Sequence, residues 1–184
     1  GVSSQAAADA GLAGAELVVW AVKPQMFIDA ARECAPFVRM ALHLSVMAGI
    51  RMATLFQALR TERVVRAMPN TPALIGQGIA ALFAQAAVTA PERAQADRVL
   101  QATGATLWVQ AAADLDAVTA LSGSGPAYVF YFIEAMMQAA TEMGLSSDVG
   151  RRLALATFSG ATALAEASPE APETLRDRVT SKGG

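Results

Sequence analysis

Three short stretches hold the residues best suited to chemistry. Lys23 stands at the end of an apolar run, directly before Pro24. There it could meet a phosphate, a ribose or a carboxylate; a solvated lysine closing a strand is the plainer alternative. Asn70 and Thr71 lie between Pro69 and Pro72. Their amide and hydroxyl could hydrogen-bond a carboxamide or an ordered water, or simply shape a proline-rich turn. At the end of the chain, the Ser181 hydroxyl and the N–H groups of Gly183 and Gly184 suit an anion-binding nest, against the alternative of a frayed tail. His43 sits inside an apolar strand and reads as a satisfied core residue, and Cys34 as an inert helix residue. With one cysteine and one histidine, the chain has no internal disulfide and no ligands for a Cys/His metal cluster.

The elements that must position these residues alternate. Leu17 to Val22 is a continuous apolar run, the pattern of a strand buried on both faces, and Leu42 to Val46 and Val64 to Met68, mostly apolar but for His43, Ser45 and Arg66, read as two more such strands. Helices are expected from Lys23-Pro24 to about Ala35 and from Met52 to Leu59. Gly78 to Phe83 and Thr106 to Val109 read as further strands. Pro91 to Ala102 reads as the helix between them, with Gly104 past its end. This alternation implies right-handed crossovers and a parallel sheet. In such a sheet ligands gather beyond the carboxyl ends of the strands, where Lys23-Pro24, Ala48-Gly49 and Met68 to Pro72 all fall. Gln5 to Ala10 reads as a short helix capped by Ser4. Gly76-Gln77-Gly78 precedes a strand and opens no helix, so it is a poor dinucleotide fingerprint.

After Gln110 the pattern turns helical. Ala112 to Leu121 leads to a Gly/Ser turn, Ser122 to Gly125, and then to a helix that starts at Pro126 and ends at Gly144. Tyr128, Phe132, Ala135, Met136, Ala139 and Met143 line one face of this helix; Val129, Ile133, Met137 and Ala140 line a second. A helix this apolar needs cover on several sides. The Leu153, Ala156 and Phe158 helix is expected to cover the first face and a second copy of the chain the other. Ser146 or Ser147 caps a helix running to about Ala167, and Glu170 to Val179 suggests a last short one. The fold class is therefore α/β: a partial Rossmann-like parallel-sheet domain over 1–110, followed by an all-helical domain over 111–184.

Composition narrows the function. The chain is 54% hydrophobic and 16% charged, with a net charge of −2, so it should fold and bury a core. It has no basic run suited to nucleic acid or an anionic membrane. Glu134 interrupts the most apolar stretch, which argues against a membrane span. Residues 1–15 lack the pattern of a signal peptide, so a cytoplasmic location is expected. Both ends read as interior to a longer sequence.

Five segments together resemble pyrroline-5-carboxylate reductase: Ala21 to Gln25, Ala48 to Ile50, Arg66 to Pro72, Asp116 to Tyr128, and Val179 to Gly184. The family's glycine-rich nucleotide-binding turn is absent from this sequence, and Lys182 stands where the family often has proline. The resemblance implies NADPH- or NADH-dependent reduction of Δ1-pyrroline-5-carboxylate to L-proline by a homodimer or larger homo-oligomer. The first half would bind the nicotinamide cofactor and the helical half would make the dimer. By motif, the resemblance places Ala21, Val22, Lys23, Pro24, Val46, Met47 and Ala48 at the cofactor, joined by Asn70, Thr71 and Arg178. Ser181, Gly183 and Gly184 match the loop that holds the substrate carboxylate. The family threonine implicated near the substrate nitrogen falls beyond Gly184. Two alternatives are a 3-hydroxyacid dehydrogenase and a non-catalytic dimerisation fragment. The first typically needs a lysine on its helical half, and none occurs between Lys23 and Lys182.

Overall fold

A computed structural model describes residues 4–181, which divide into two compact units, the first ending at Pro126 and the second beginning at Ala127. The first carries a five-stranded sheet ordered as in the sequence: β1 (Leu17–Trp20), β2 (Leu42–Ser45), β3 (Val64–Met68), β4 (Gly78–Ala84) and β5 (Gly104–Trp108). Helices α1 (Phe27–Val38) and α2 (Met52–Leu59) link the first three strands, which are parallel.

The sheet is not wholly parallel, as the alternation had implied. β4 runs antiparallel to β3, and β5 is parallel to β4. The connection from β3 to β4 explains the reversal. It holds Pro69, Pro72 and a 3-10 turn, Thr71–Ile75, ending at Gly76 in the left-handed region (φ 71°). No crossover helix stands there to carry the chain back to the other edge, so the next strand reverses.

The reversal decides which face each helix covers. A right-handed crossover between upward strands puts its helix on one face; between downward strands, it puts the helix on the other. Accordingly, Phe27 and Ala31 of α1 and Met52, Leu55 and Leu59 of α2 pack with Trp20 and Val64 on one side. Helix α3 (Ala90–Leu100), between β4 and β5, brings Ala96 and Leu100 to Leu42, Leu44, Val65 and Leu82 on the other. Strands covered on both faces need apolar residues at consecutive positions, which accounts for the continuous runs. Thr89 and Glu92 form a reciprocal capping box at the start of α3.

The N-terminal expectation is corrected. Gln5 to Asp9 is not helical; a 3-10 turn, Ala10–Gly14, follows instead, with the Asp9 carboxylate accepting from the Gly11 N–H at 2.8 Å. Its run of alanines has no apolar face to bury, and propensity alone rarely holds so short a helix.

Helix α4 (Asp114–Val118) passes into a π-helical turn, Thr119–Gly123, before α5 (Gly125–Glu142). The expected Gly/Ser turn is thus a widened helical turn, closed by Ser124 N–H donating to the Thr119 carbonyl at 2.9 Å.

In the second unit, Ser146 caps α6 (Ser147–Ala167), its hydroxyl accepting from the Val149 N–H, and α7 is Pro172–Val179. It is the second face of α5, not the first, that α6 mainly covers. Ala140 is buried, and a side chain on Gly150 of α6 would meet its Cβ at 2.8 Å. Ile133 and Met137 are half-buried on the same side. The more open face carries Phe132 (60% exposed), Met136 and Met143, with Tyr131 beside it. Close helix approach needs small residues on both sides, and Ala140 with Gly150 supplies them. Phe132 still touches Phe158, ring to ring, at 6.4 Å. Among the described residues, no helix is long and apolar enough to cross a membrane.

Candidate active site

The sheet gathers the sequence-predicted segments at one edge. Trp20, Ser45 and Arg66 are register partners on β1, β2 and β3, so the residues just after each strand emerge side by side. The Val46 N–H donates to the Trp20 carbonyl at 3.1 Å, which ties the second segment to the first. Because β4 and β5 run the other way, their first residues, Gly78 and Gly104, stand at the same edge.

Within each segment the structure separates what is open from what is packed. Ala21, Lys23, Pro24 and Ala48 are exposed, whereas Val22 and Met47 pack against the α1/α2 core and Val46 against the opposite core. What stands open at this edge is the side chain of Lys23 and the backbone of the turns; the side chains of Val22 and Val46 are partly packed and that of Met47 is buried. The Lys23 backbone carbonyl accepts from Met26 N–H at 2.9 Å, opening the 3-10 turn that leads into α1. Gly49, in the left-handed region (φ 75°), lets the chain turn from Ala48 towards α2.

Asn70 holds this edge together. Its Oδ1 accepts from the Ile79 N–H at 3.0 Å, and its Nδ2 donates to the Ser122 Oγ at 3.3 Å. One amide thus joins the end of β3, the start of β4 and the π-helical turn. Directly beneath, a Cβ on Gly123 would come within 2.8 Å of Met68 Cε, so glycine lets that turn sit close on β3. Thr71 is exposed beside it.

Sequence reasoning missed three contributors. Arg66 is nearly fully buried, in the row Trp20–Ser45–Arg66–Phe83, and its Nη2 lies 3.9 Å from Asp116 Oδ1 of α4. An arginine inside a run as apolar as Val64 to Met68 was the available signal. Ser45 is buried, and its hydroxyl accepts from the Met47 N–H at 3.4 Å, shaping the second turn. Gly78 and Gly104 cross so closely that a Cβ on Gly104 would lie 2.0 Å from the Gly78 carbonyl oxygen. Gly78, unremarkable as a nucleotide fingerprint, is thus a packing glycine.

His43 is not at the edge. It is buried, stacks on Trp20, and its Nδ1 accepts from Trp20 Nε1 at 3.0 Å. Its Nε2 is buried without a hydrogen-bond partner of normal geometry. Burial lowers its pKa to about 4, opposed by the Val38 backbone, with the Arg63 charge lowering it further. It is a neutral core residue at physiological pH, half-satisfied rather than fully so. Cys34, half-buried in α1, has its thiol pKa raised by burial and by Glu33. Among the described residues no His/Cys/Asp/Glu group is arranged to hold a metal.

The remaining predicted residues belong to the second unit. Arg178, on α7, donates to the Glu170 carboxylate at 2.6 Å, and Ser181 is exposed. Gly183 and Gly184 lie outside the described residues.

Comparison with known proteins follows the same lines. Residues 112–184 match the family model for pyrroline-5-carboxylate reductase dimerisation. Pyrroline-5-carboxylate reductase of Pseudomonas aeruginosa is 45% identical over 175 residues, which cover 94% of this chain and 64% of that protein. The pea (Pisum sativum) enzyme of the same name is 35% identical over the whole chain, which spans 67% of its length. The chain belongs to the pyrroline-5-carboxylate reductase family. Among solved structures, the Plasmodium falciparum pyrroline carboxylate reductase with NADP bound superposes with a TM-score of 0.84, at 30% identity over 90% of this chain and 67% of that one. The chain thus spans about two thirds of the length of these relatives.

Proposed function

We propose that the complete protein reduces Δ1-pyrroline-5-carboxylate to L-proline with NADPH or NADH, in the cytoplasm, as a homodimer or larger homo-oligomer. In this reading residues 1–110 bind the cofactor and 111–184 make the dimer. The observation that carries the proposal is the single edge shared by Ala21 to Pro24, Val46 to Ala48 and Asn70-Thr71, joined to the Ser122 turn through one amide. The NADP named in the Plasmodium structure supports the choice of cofactor class.

The open edge fits the nicotinamide end of such a cofactor. It offers turn backbone, small exposed side chains and one cation, Lys23, and a flat ring can lie on such a surface without displacing core residues. When bound, the cofactor supplies a hydride to the imine carbon, while the imine nitrogen takes a proton. The chain's own part is to align two rings and hold an anion. Lys23 would pair with a phosphate, ribose or carboxylate oxygen. Thr71 offers a hydroxyl beside it, and Asn70 keeps the edge in register. Arg178 would approach the cofactor; Ser181, Gly183 and Gly184 would hold the substrate carboxylate. The threonine that follows the glycine pair in the family would stand near the substrate nitrogen.

The test is turnover by the natural full-length protein, with pyrroline-5-carboxylate and each reduced cofactor in turn. Proline formation is expected; activity on a 3-hydroxyacid with none on the imine would overturn the reading. The 184-residue chain alone should be inactive, because it lacks the glycine-rich turn that wraps a pyrophosphate. Lys23→Ala should cost the full-length enzyme about 1.5–3 kcal/mol in cofactor binding or transition-state stabilisation. Steady-state constants within about twofold of the parent would make Lys23 a surface residue.

A further inference from the structure

The outer side of α1 and α2, away from the strand-end edge, carries a groove of about 580 Å³ that the proposed reaction does not use. Ile28, Pro36 and Leu59 contribute to its apolar part, and Arg32, Arg39 and Arg60 supply three guanidinium groups; no acidic residue lines it. Arg32 is already paired with Asp29 at 3.0 Å. Arg39 and Arg60 have no ion pair among the described residues, and both are exposed. They stand at the ends of their helices, Arg39 closing α1 and Arg60 closing α2.

Arg60 carries a second signal. It is the one non-glycine residue with positive φ among those described, at 55°. Its N–H caps α2 by donating to the Phe56 carbonyl at 2.8 Å, a position where glycine serves without a steric penalty. Backbone geometry alone therefore gives no reason for arginine there, and the side chain is the reason left. A helix C-terminus attracts a cation, and each of these two helices ends on one arginine. Two unpaired arginines converging on a space of this volume do more.

We infer that this groove is a binding site for a phosphorylated organic metabolite of nucleotide size. The guanidinium fork matches phosphate oxygens two at a time. The volume falls within the range of small-molecule sites, and the apolar part favours a ligand with an organic body over a bare anion. The inference stands whether or not the reaction proposed above is correct.

The experiment is calorimetric titration of the 184-residue chain at low ionic strength with three probes: ATP, tripolyphosphate and adenosine. ATP should bind, more tightly than tripolyphosphate, and adenosine should not. Arg39→Gln and Arg60→Gly should each weaken ATP by about tenfold or more, the loss of one charge-assisted contact. Lys23→Ala, at the strand-end edge, should leave it unchanged. Arg60→Gly should also hold or raise the thermal midpoint, since it relieves the left-handed backbone; a role for Arg60 in stability alone would lower the midpoint. Absence of ATP binding, equal affinity for tripolyphosphate, insensitivity to both arginine changes, or an equal loss in Lys23→Ala would each overturn the assignment.

Discussion

Asn70→Ala tests how the candidate site is held together. The change removes two hydrogen bonds of different kinds. The bond from the Ile79 N–H, 3.0 Å and partly buried, leaves a backbone donor without its partner, at a cost of about 1–3 kcal/mol. The bond to Ser122 is longer, 3.3 Å, and joins two neutral side chains, so it belongs near the bottom of the range of about 0.5–1.5 kcal/mol. Together they predict a loss of about 2–3 kcal/mol, a large part of the 5–15 kcal/mol that holds a typical domain. Ser122→Ala should lose only the smaller term, because its partner amide can turn to water. Asn70→Asp keeps an acceptor for Ile79, and the Ser122 hydroxyl can rotate to donate to it, so its cost should fall well below that of Asn70→Ala. The assay is urea unfolding of the chain with each variant and the Asn70→Ala/Ser122→Ala double variant, at equal m-value. A loss below about 0.5 kcal/mol for Asn70→Ala, or the same loss for Asn70→Asp, would show that the amide does not join these elements. Strict additivity of the two alanine changes would dismiss the Ser122 bond alone.

Three further outcomes are expected. His43 has a folded-state pKa of about 4 against an ordinary value of 6.5, so the unfolded chain binds the proton more readily. Its contribution to stability is complete above pH 6.5 and is lost as pH falls towards 4, by up to about 3 kcal/mol; a His43→Gln variant should flatten that slope, and an unaltered slope in urea midpoints from pH 7.5 to 4.5 would refute the assignment. Arg66→Met should leave the unfolding midpoint unchanged or raise it, since the buried charge costs desolvation while the mostly exposed Asp116 simply returns to water; a loss above about 2 kcal/mol would mean that the ion pair stabilises the fold on balance. In the full-length protein, Phe132→Glu or Met136→Glu should abolish the dimer by charging the more open face of α5, measured by sedimentation, and an unchanged dimer would place the interface elsewhere.

Much of the first unit was legible because burial on both faces of a sheet imposes continuous apolar runs. Val64 to Met68 was expected and found with the same bounds, and β1, β2 and β4 differ at their ends by one or two residues. The same argument brought Lys23, Ala48 and Asn70 to one edge, since the carboxyl ends of parallel strands must share a side. The Ser146 cap and the Gly144 end of α5, with φ 90°, followed from local chemistry. Both need only near neighbours, and that is why composition and spacing revealed them.

What tertiary structure decided was every choice among equivalent local options. Apolar runs look alike in parallel and antiparallel pairs, so only the connection from Pro69 to Gly76 and the register of β3 with β4 settled the reversal. Both faces of α5 are apolar, and the contact between Ala140 and Gly150 selected which one meets α6, because helices close on their smallest residues. Asn70 could equally have faced a ligand or the chain itself. Its two partners, nine and 52 residues away, tie the end of β3 to the start of β4 and to the Ser122 turn, a link that exists only once distant backbone and side chain meet.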